Sequence, residues 1–361
     1  MTGAAQPADS NTDIAIQSRH VWKLFGPRHK EALAAMKSQA LTRQETSERF
    51  NCIAGVADVS LSIRTGEIFC IMGLSGSGKS TLVRHFNGLI PPTDGEIIVK
   101  GHNIADLSPK ALRKLRAEKI AMVFQNFALL PHRTVLDNVS FGLELRGEGL
   151  AERHARAREV LRQVDLNGWE NAWPEELSGG MQQRVGLARA LAGNPEILLM
   201  DEPFGALDPL IRRQLQDQFI ELSRMMRKTT VFITHDLDEA MRIGDRIAIM
   251  RDGRVIQVGT PDEILRNPAD QYVADFVAGV SSFDNLTAHD VMSPIAKAGG
   301  LQAGVLPDHA PRVGSTASMA ELATLAVESD TPIRVTDADD TVIGVVDRVA
   351  ILKALGERGS R

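Results

Sequence analysis

Apolar residues gather in short unbroken runs at several places along the chain: Ile68 to Met72 after Glu67, Ile120 to Phe124, Ile197 to Met200, and Val231 to Ile233 inside the stretch Thr229 to Thr234. Such runs predict strands, and the fully apolar one from Ile197 that ends in two carboxylates predicts a buried parallel strand emptying into a site. Helix-forming stretches lie between them, at Leu82 to Asn87 and Arg184 to Leu191. Thr42-Arg-Gln-Glu45 has the capping-box spacing, so part of the segment Gly26 to Val56 is expected to be helical. Asn126 to Phe141 is apolar and punctuated by proline, with Phe127, Leu129, Leu130 and Phe141 on it. After Val280 the composition shifts to Gly, Ala and Asp, and Leu286 to Leu306 has little periodicity. Beyond it, Met319 to Val327 predicts a helix, Pro332 to Val335 and Val342 to Val346 predict strands around the Asp-Ala-Asp-Asp turn 337–340, and Asp347 to Leu355 predicts another helix. The pattern divides the chain into a disordered N-terminus, 1–13, an α/β body over 14–280, and a small α+β unit over 281–361.

Chemistry concentrates at the ends of the apolar runs. Gly73-Leu74-Ser75-Gly76-Ser77-Gly78-Lys79-Ser80-Thr81 stands between a strand and a helix, the order a phosphate-binding loop requires. Its glycines let backbone N–H groups surround phosphates, Lys79 reaches the β- and γ-phosphates, and Ser80 can ligate Mg²⁺. Asp201 and Glu202 close the run from Ile197, one placed to hold Mg²⁺ and the other to polarise a water. In Leu177-Ser-Gly-Gly-Met-Gln-Gln183, Ser178 is a good helix N-cap, and Gly179 and Gly180 leave helix-terminal N–H groups open to a second anion.

The bulk numbers narrow the function. The chain has 361 residues, 43% hydrophobic and 24% charged, which accommodates two globular domains. A net charge of −5 gives no general attraction to nucleic acid or anionic lipid. Met1 to Asp13 lacks the order of a signal peptide and no apolar run reaches the length of a spanning helix, so a cytosolic chain is expected, with any membrane link through a protein partner. Cys52 and Cys70 are expected to be reduced thiols. No guanine-reading Asn/Thr-Lys-x-Asp segment occurs, which favours ATP over GTP.

Taken together, Gly73 to Thr81, Leu177 to Gln183, Ile197 to Glu202 and His235 resemble the Walker A, signature, Walker B and switch elements of ATP-binding cassette (ABC) subunits. The resemblance covers roughly residues 14–280 and implies a P-loop NTPase fold of the ABC type, a RecA-like core plus a helical subdomain at about 126–190. It also implies a head-to-tail homodimer with each ATP between one subunit's Walker A and the other's signature. On that pattern Gln125 resembles the Q-loop glutamine that contacts Mg²⁺, Asp208 in Ala206-Leu-Asp208 the D-loop residue that crosses the interface, and His235 the switch histidine at the γ-phosphate. Ser178, Gly179, Gly180, Gln182 and Asp208 would act in trans, with Glu202, His235 and Gln125 catalytic and Ser80, Gln125 and Asp201 around the metal. Phe25 aligns with the aromatic that stacks on adenine, and Trp22 lies near enough to compete for that role.

The insertion Gly26 to Val56, together with Phe124 to His132 and His235 to Arg246, resembles the ATPase subunit of glycine betaine/proline importers, bacterial-type subunits on the cytoplasmic face of the inner membrane. That resemblance implies integral-membrane permease partners, an indirect link to a substrate-binding protein, and no nucleic acid. Choline, carnitine and trimethylamine N-oxide are alternative cargoes. A soluble cassette acting on nucleic acid or ribosomes is the alternative of a different class. It would call for two cassettes or a coiled-coil insertion and a basic surface. Pro203-Phe-Gly205 stands where the betaine type has Ala-Phe-Ser. The tail resembles a single cystathionine-β-synthase (CBS) motif with the lead-in Ala288 to Met292, where the family usually carries two. From Ser281 it holds seven Lys/Arg against eleven Asp/Glu, a sign that disfavours sensing through anionic lipid.

Overall fold

The computed structural model describes residues 14–277, 287–294, 310–329, 331–337 and 339–351. The N-terminal stretch 1–13 and most of Leu286 to Leu306 lie outside them. Two long strands come first, β1 (Ile14–Phe25) and β2 (Ile53–Arg64), with helices α1 (His29–Gln39) and α2 (Arg43–Phe50) between them. β3 (Ile68–Met72) runs into α3 (Lys79–Phe86), followed by β4 (Asp94–Val99), β5 (His102–Asn103), α4 (Pro109–Lys119) and β6 (Ile120–Val123). Three helices come next: α5 (Val135–Leu145), α6 (Leu150–Gln163) and α7 (Gly179–Ala192). The body closes with β7 (Ile197–Asp201), α8 (Pro209–Met226), β8 (Thr229–Thr234), α9 (Leu237–Ile243), β9 (Arg246–Arg251), β10 (Arg254–Gly259), α10 (Pro261–Arg266) and α11 (Gln271–Val277).

Two sheets build this body. One is antiparallel in the order β2-β1-β4-β5; the other runs β10-β9-β3-β8-β7-β6, parallel except for β10 at its edge. The unbroken apolar runs have a structural reason. Ile68, Cys70 and Met72 of β3, Leu198 and Met200 of β7, and Phe232 of β8 enter the core shared with α5 to α8. Their alternates Phe69, Ile71, Ile197, Leu199, Val231 and Ile233 enter the core shared with the antiparallel sheet and α3. Successive side chains of a strand point to opposite faces, so a strand covered on both sides must be apolar throughout.

The segment between β1 and β2 forms a third, smaller core from Trp22, Leu24, Ala32, Ala35, Met36, Leu41, Cys52, Ala54 and Ala57. Thr42 caps α2 in a capping box with Glu45. Both cysteines are buried and free, and burial pushes the Cys70 thiol well up.

The chain divides into two compact units between Ala278 and Gly279. The second contains α12 (Ala288–Val291), β11 (Ser293–Pro294), β12 (Arg312–Gly314), α13 (Met319–Glu328), β13 (Ile333–Thr336) and β14 (Val342–Val346), and is helical again at 348–351. Its sheet order is β11-β14-β13-β12, with β12 parallel to β13 and β13 antiparallel to β14. The β13–β14 turn is held by the Asp337 carboxylate, which accepts from the Asp339 and Thr341 N–H groups.

Candidate nucleotide site

Four neighbouring strands empty at one edge of the parallel sheet. β3 ends into Gly73, β8 into His235, β7 into Glu202, and β6 into Phe124 and Gln125. Open parallel sheets place ligands outside the carboxyl ends of their strands, and Gly73, Gln125, Asp201, Glu202 and His235 stand there.

Gly73 to Thr81 wraps the start of α3. Gly73 has φ +150 and a Cβ there would lie 2.2 Å from the Met250 carbonyl oxygen; at Gly78, φ +104, it would lie 2.1 Å from that of Gly55. Only glycine closes the loop this tightly against β9 and β2. The Lys79 ammonium, 5% exposed, donates to the carbonyls of Gly73 (2.8 Å) and Leu74 (3.2 Å) and lies 3.9 Å from Glu202 Oε1. Burial lowers its pKa, against the opposing pull of Glu202 and Asp201. It is a cation held inside a ring of loop carbonyls, facing two carboxylates.

Ser80 Oγ donates to Asp201 Oδ1 at 2.8 Å, and Asp201 Oδ2 lies 3.8 Å from Arg84. Glu202 follows Asp201 directly, and an extended strand would send it to the opposite face. Its backbone instead takes the left-handed region, φ +47, with its N–H donating to Ile233 O at 3.1 Å. The turn at the strand end is where both carboxylates come to face one site. Glu202 Oε2 lies 3.0 Å from His235 Nδ1. The histidine is exposed, so one carboxylate spans from a buried ammonium to an imidazole open to solvent.

The two aromatic candidates part company. Trp22 is 5% exposed and packed in the core under α1, whereas Phe25 is 42% exposed. The Phe25 ring lies against Gly55, where a Cβ would meet it at 2.8 Å and Thr81 Cγ2 at 3.4 Å. Gln125 is exposed at the start of the segment leading to the helices. Of the four apolar residues after it, Phe127 and Leu129 pack against the main core, and Phe141 carries the Arg133 guanidinium 4.8 Å from its ring centre.

Ser178, Gly179, Gly180 and Asp208 come together at the starts of α7 and α8. Ser178 caps α7 and Asp208 caps α8. A Cβ on Gly180 would meet Ile211 Cγ2 at 2.7 Å, and one on Gly179 would meet Leu207 Cδ2 at 3.7 Å, so the two helix starts adjoin. Gln182 turns back, donating to Pro174 O (2.9 Å) and Leu177 O (3.3 Å). Ser178, Gly179 and Asp208 are solvent-exposed, an arrangement open to a second molecule.

Several contacts were not legible in the sequence. Arg189 of α7 donates to the carbonyls of Ala128 and Phe127, two consecutive residues at positive φ just after Gln125. Gly253 N–H donates to Ser77 O at 2.9 Å, and Arg43 Nη1 to Gly76 O at 2.8 Å. Each is a long-range side-chain or turn contact without a local sequence pattern.

The ABC transporter family model matches residues 56–205. The glycine betaine/proline betaine transport system ATP-binding protein ProV of Escherichia coli (strain K12) is 54% identical over 278 residues, 77% of this chain and 69% of that protein. The chain belongs to the ABC transporter ATP-binding proteins of the glycine betaine type. The trimethylamine N-oxide transport system ATP-binding protein TmoW of Ruegeria pomeroyi is 49% identical to this ABC subunit, over 94% of this chain and 96% of that protein. A dimeric structure of a bacterial ABC transporter cassette has a TM-score of 0.57 at 36% identity, covering 68% of this chain and 98% of that one. A dimeric post-hydrolysis cassette bound to ADP and phosphate has a TM-score of 0.58 at 34% identity, with the same coverage. Membership settles ATP binding and an ATPase activity coupled to transport for this ABC subunit. Among its described residues no helix is long and apolar enough to cross a membrane.

The donor set of this cassette fits Mg²⁺. The Ser80 hydroxyl and the Asp201 carboxylate present hard oxygen donors 2.8 Å apart beside a phosphate cradle. Mg²⁺ commonly rests on one or two such groups plus substrate phosphates rather than on an all-protein cage. Among the described residues no cluster of three or more His, Cys, Asp or Glu side chains could hold a metal without that help.

Proposed function

We propose that this subunit hydrolyses ATP between two copies of itself to drive import of glycine betaine, proline betaine or a related quaternary amine through integral-membrane permease subunits. On this reading it sits at the cytoplasmic face of the membrane, fed by a substrate-binding protein. The observation that carries it is Glu202, which reaches both Lys79 at 3.9 Å and His235 at 3.0 Å from the end of β7. A carboxylate between a phosphate-seeking cation and an imidazole is placed to orient and deprotonate a water at a γ-phosphate.

The steps follow from the groups. Phe25 stacks on adenine and the backbone of Gly73 to Thr81 surrounds the phosphates. Lys79 exchanges the carbonyls of Gly73 and Leu74 for β- and γ-phosphate oxygens, which compensates its burial with a stronger charge partner. Ser80 and Asp201, joined by Gln125, would hold Mg²⁺, which supplies charge neutralisation at the phosphates. Glu202 takes the proton of the attacking water, and His235 holds the γ-phosphate. Little covalent work is left for the protein beyond position and charge. The second copy supplies Ser178, Gly179, Gly180, Gln182 and Asp208. The Gln182 amide nitrogen donates to Pro174 and Leu177, which leaves its carbonyl oxygen to take part.

The tail supports a regulatory reading. β12, α13, β13, β14 and the helix from 348 follow the order β-α-β-β-α, as in one CBS motif. Trimethylamine N-oxide is the second cargo to weigh, because the relative that aligns over 94% of this chain is named for that solute.

Replacing Glu202 by Gln is expected to lower ATP turnover by about a hundredfold or more, the usual worth of a general base, while ATP binding persists and an ATP-bound dimer accumulates on gel filtration. Turnover near the wild-type rate would remove Glu202 from its role. Uptake of labelled betaine, choline and trimethylamine N-oxide into vesicles holding the subunit with its permease ranks the cargoes.

A further inference from the structure

The phosphate-binding loop is braced from outside by the helical segment between β1 and β2. Arg43 is the first residue of α2, and its Nη1 donates to the Gly76 carbonyl at 2.8 Å. The helix start that carries it is fixed in several ways. The Thr42 side chain accepts from Glu45 N–H, the Glu45 carboxylate accepts from Thr42 N–H at 2.8 Å, and Thr46 Oγ1 donates to Thr42 O at 2.7 Å. Leu41, next to the cap, is buried in the core formed with Trp22 and Met36.

At the other end of the bond the tip of the loop is open to solvent. Leu74, Ser75 and Gly76 are exposed, and Gly76 has φ +77 with no atom within 4 Å of where a Cβ would stand. The Gly76–Ser77 peptide is pinned on both edges: Ser77 N–H donates to Leu74 O at 3.1 Å, and the carbonyl is taken by Arg43. A trans peptide points its C=O and N–H in opposite directions, so fixing the carbonyl outward fixes which way the Ser77 N–H faces. Beyond Arg43 an open cavity of about 540 Å³, bounded also by Leu74, Gly76, Arg251 and Tyr272, leaves the guanidinium room to swing away.

We propose that Arg43 is a positioning residue for the ATP site: by holding the Gly76 carbonyl it sets the orientation of the loop amides, so that the β1–β2 segment tunes nucleotide affinity. The proposal rests on Gly73 to Thr81 being the ATP-binding loop. Pre-ordering acts on binding, so the affected constant is the KM for ATP rather than kcat.

The test uses the full chain with MgATP, measuring KM, kcat and melting temperature for the wild type, Arg43→Ala, Arg43→Lys and the same-helix control Gln44→Ala. Loss of a charge-assisted bond to the loop predicts a KM about tenfold higher for Arg43→Ala, with kcat within about twofold. Arg43→Lys is expected to recover most of the affinity, Gln44→Ala to leave KM unchanged, and the melting temperature of Arg43→Ala to stay near wild type. An unchanged KM in Arg43→Ala overturns the proposal. So does a KM rise that tracks a fall in melting temperature and is not rescued by lysine, because that marks a merely structural role. A wild type that does not bind MgATP would sink the ATP-site reading itself, a separate result.

Discussion

At the scale of single residues, chemistry follows exposure more than identity. Phe25 and Trp22 are three positions apart on one strand, yet only Phe25 offers a ring face to a ligand, because Trp22 is roofed by α1. Phe25→Ala is therefore expected to raise the KM for ATP by about tenfold, in line with the ~1–3 kcal/mol of one base–aromatic stack, at an unchanged melting temperature. Trp22→Ala is expected to do the reverse, lowering stability by roughly 3–5 kcal/mol as a large core side chain is removed. A steady-state titration with ATP and a thermal melt on each variant separate the two roles. The sequence left these aromatics unresolved because both are large, both lie near the same strand end, and burial is decided by a segment that follows them.

At the scale of elements, α3 shows how a nucleotide-binding helix is anchored at its far end. His85 is fully buried, its Nδ1 lies 2.6 Å from Ile90 O, and its Nε2 has no partner. The carbonyl can only accept, so Nδ1 carries the proton and Nε2 is the bare nitrogen. Protonating Nε2 would bury an unsatisfied N–H and a charge. Burial accordingly lowers the pKa below its ordinary 6.5, against the Ile90 bond that raises it, with Lys23 adding a smaller decrease. Below pH 6.5 the unfolded chain takes a proton that the folded chain refuses, so this contribution to stability is intact above 6.5 and is lost as pH falls toward the folded value. Melting temperatures at pH 8 and pH 5.5 are expected to fall further for the wild type than for His85→Gln. Equal losses would show that another group governs the acid limb. Arg116 of α4 closes the same helix end by donating to the carbonyls of Asn87 and Gly88, both at 2.6 Å.

At the scale of the whole molecule, Ser178, Gly179 and Asp208 lie exposed at two adjoining helix starts, open to the second copy that the proposed function requires. The C-terminal unit poses the other question at this scale. Its net negative charge opposes a lipid-binding role. Removing residues 284–361 is expected to leave ATPase and uptake standing while altering their dependence on salt concentration. An identical salt curve in the truncated chain would leave the unit as a dimerisation element or a remnant.

Local pattern made much of this legible. The loop from Gly73 to Thr81, the strand ending in Asp201 and Glu202, the cap at Ser178 and the capping box at Thr42 each need only a few neighbouring residues of the right type. The buried strands were legible for a similar reason, since a strand between two cores cannot afford a polar alternate. Tertiary structure decided the rest: which aromatic stays in solvent, that Glu202 turns left-handed to join Asp201, that Arg189 holds the turn after Gln125, and that Arg43 reaches Gly76 across 33 residues. These depend on where distant segments meet, and a side chain reaching a backbone carbonyl leaves no periodicity behind. Sequence alone thus determined that the chain handles a triphosphate and named candidate groups for it. Only the fold determined how those groups face one another, because orientation is fixed by packing between segments far apart in the chain.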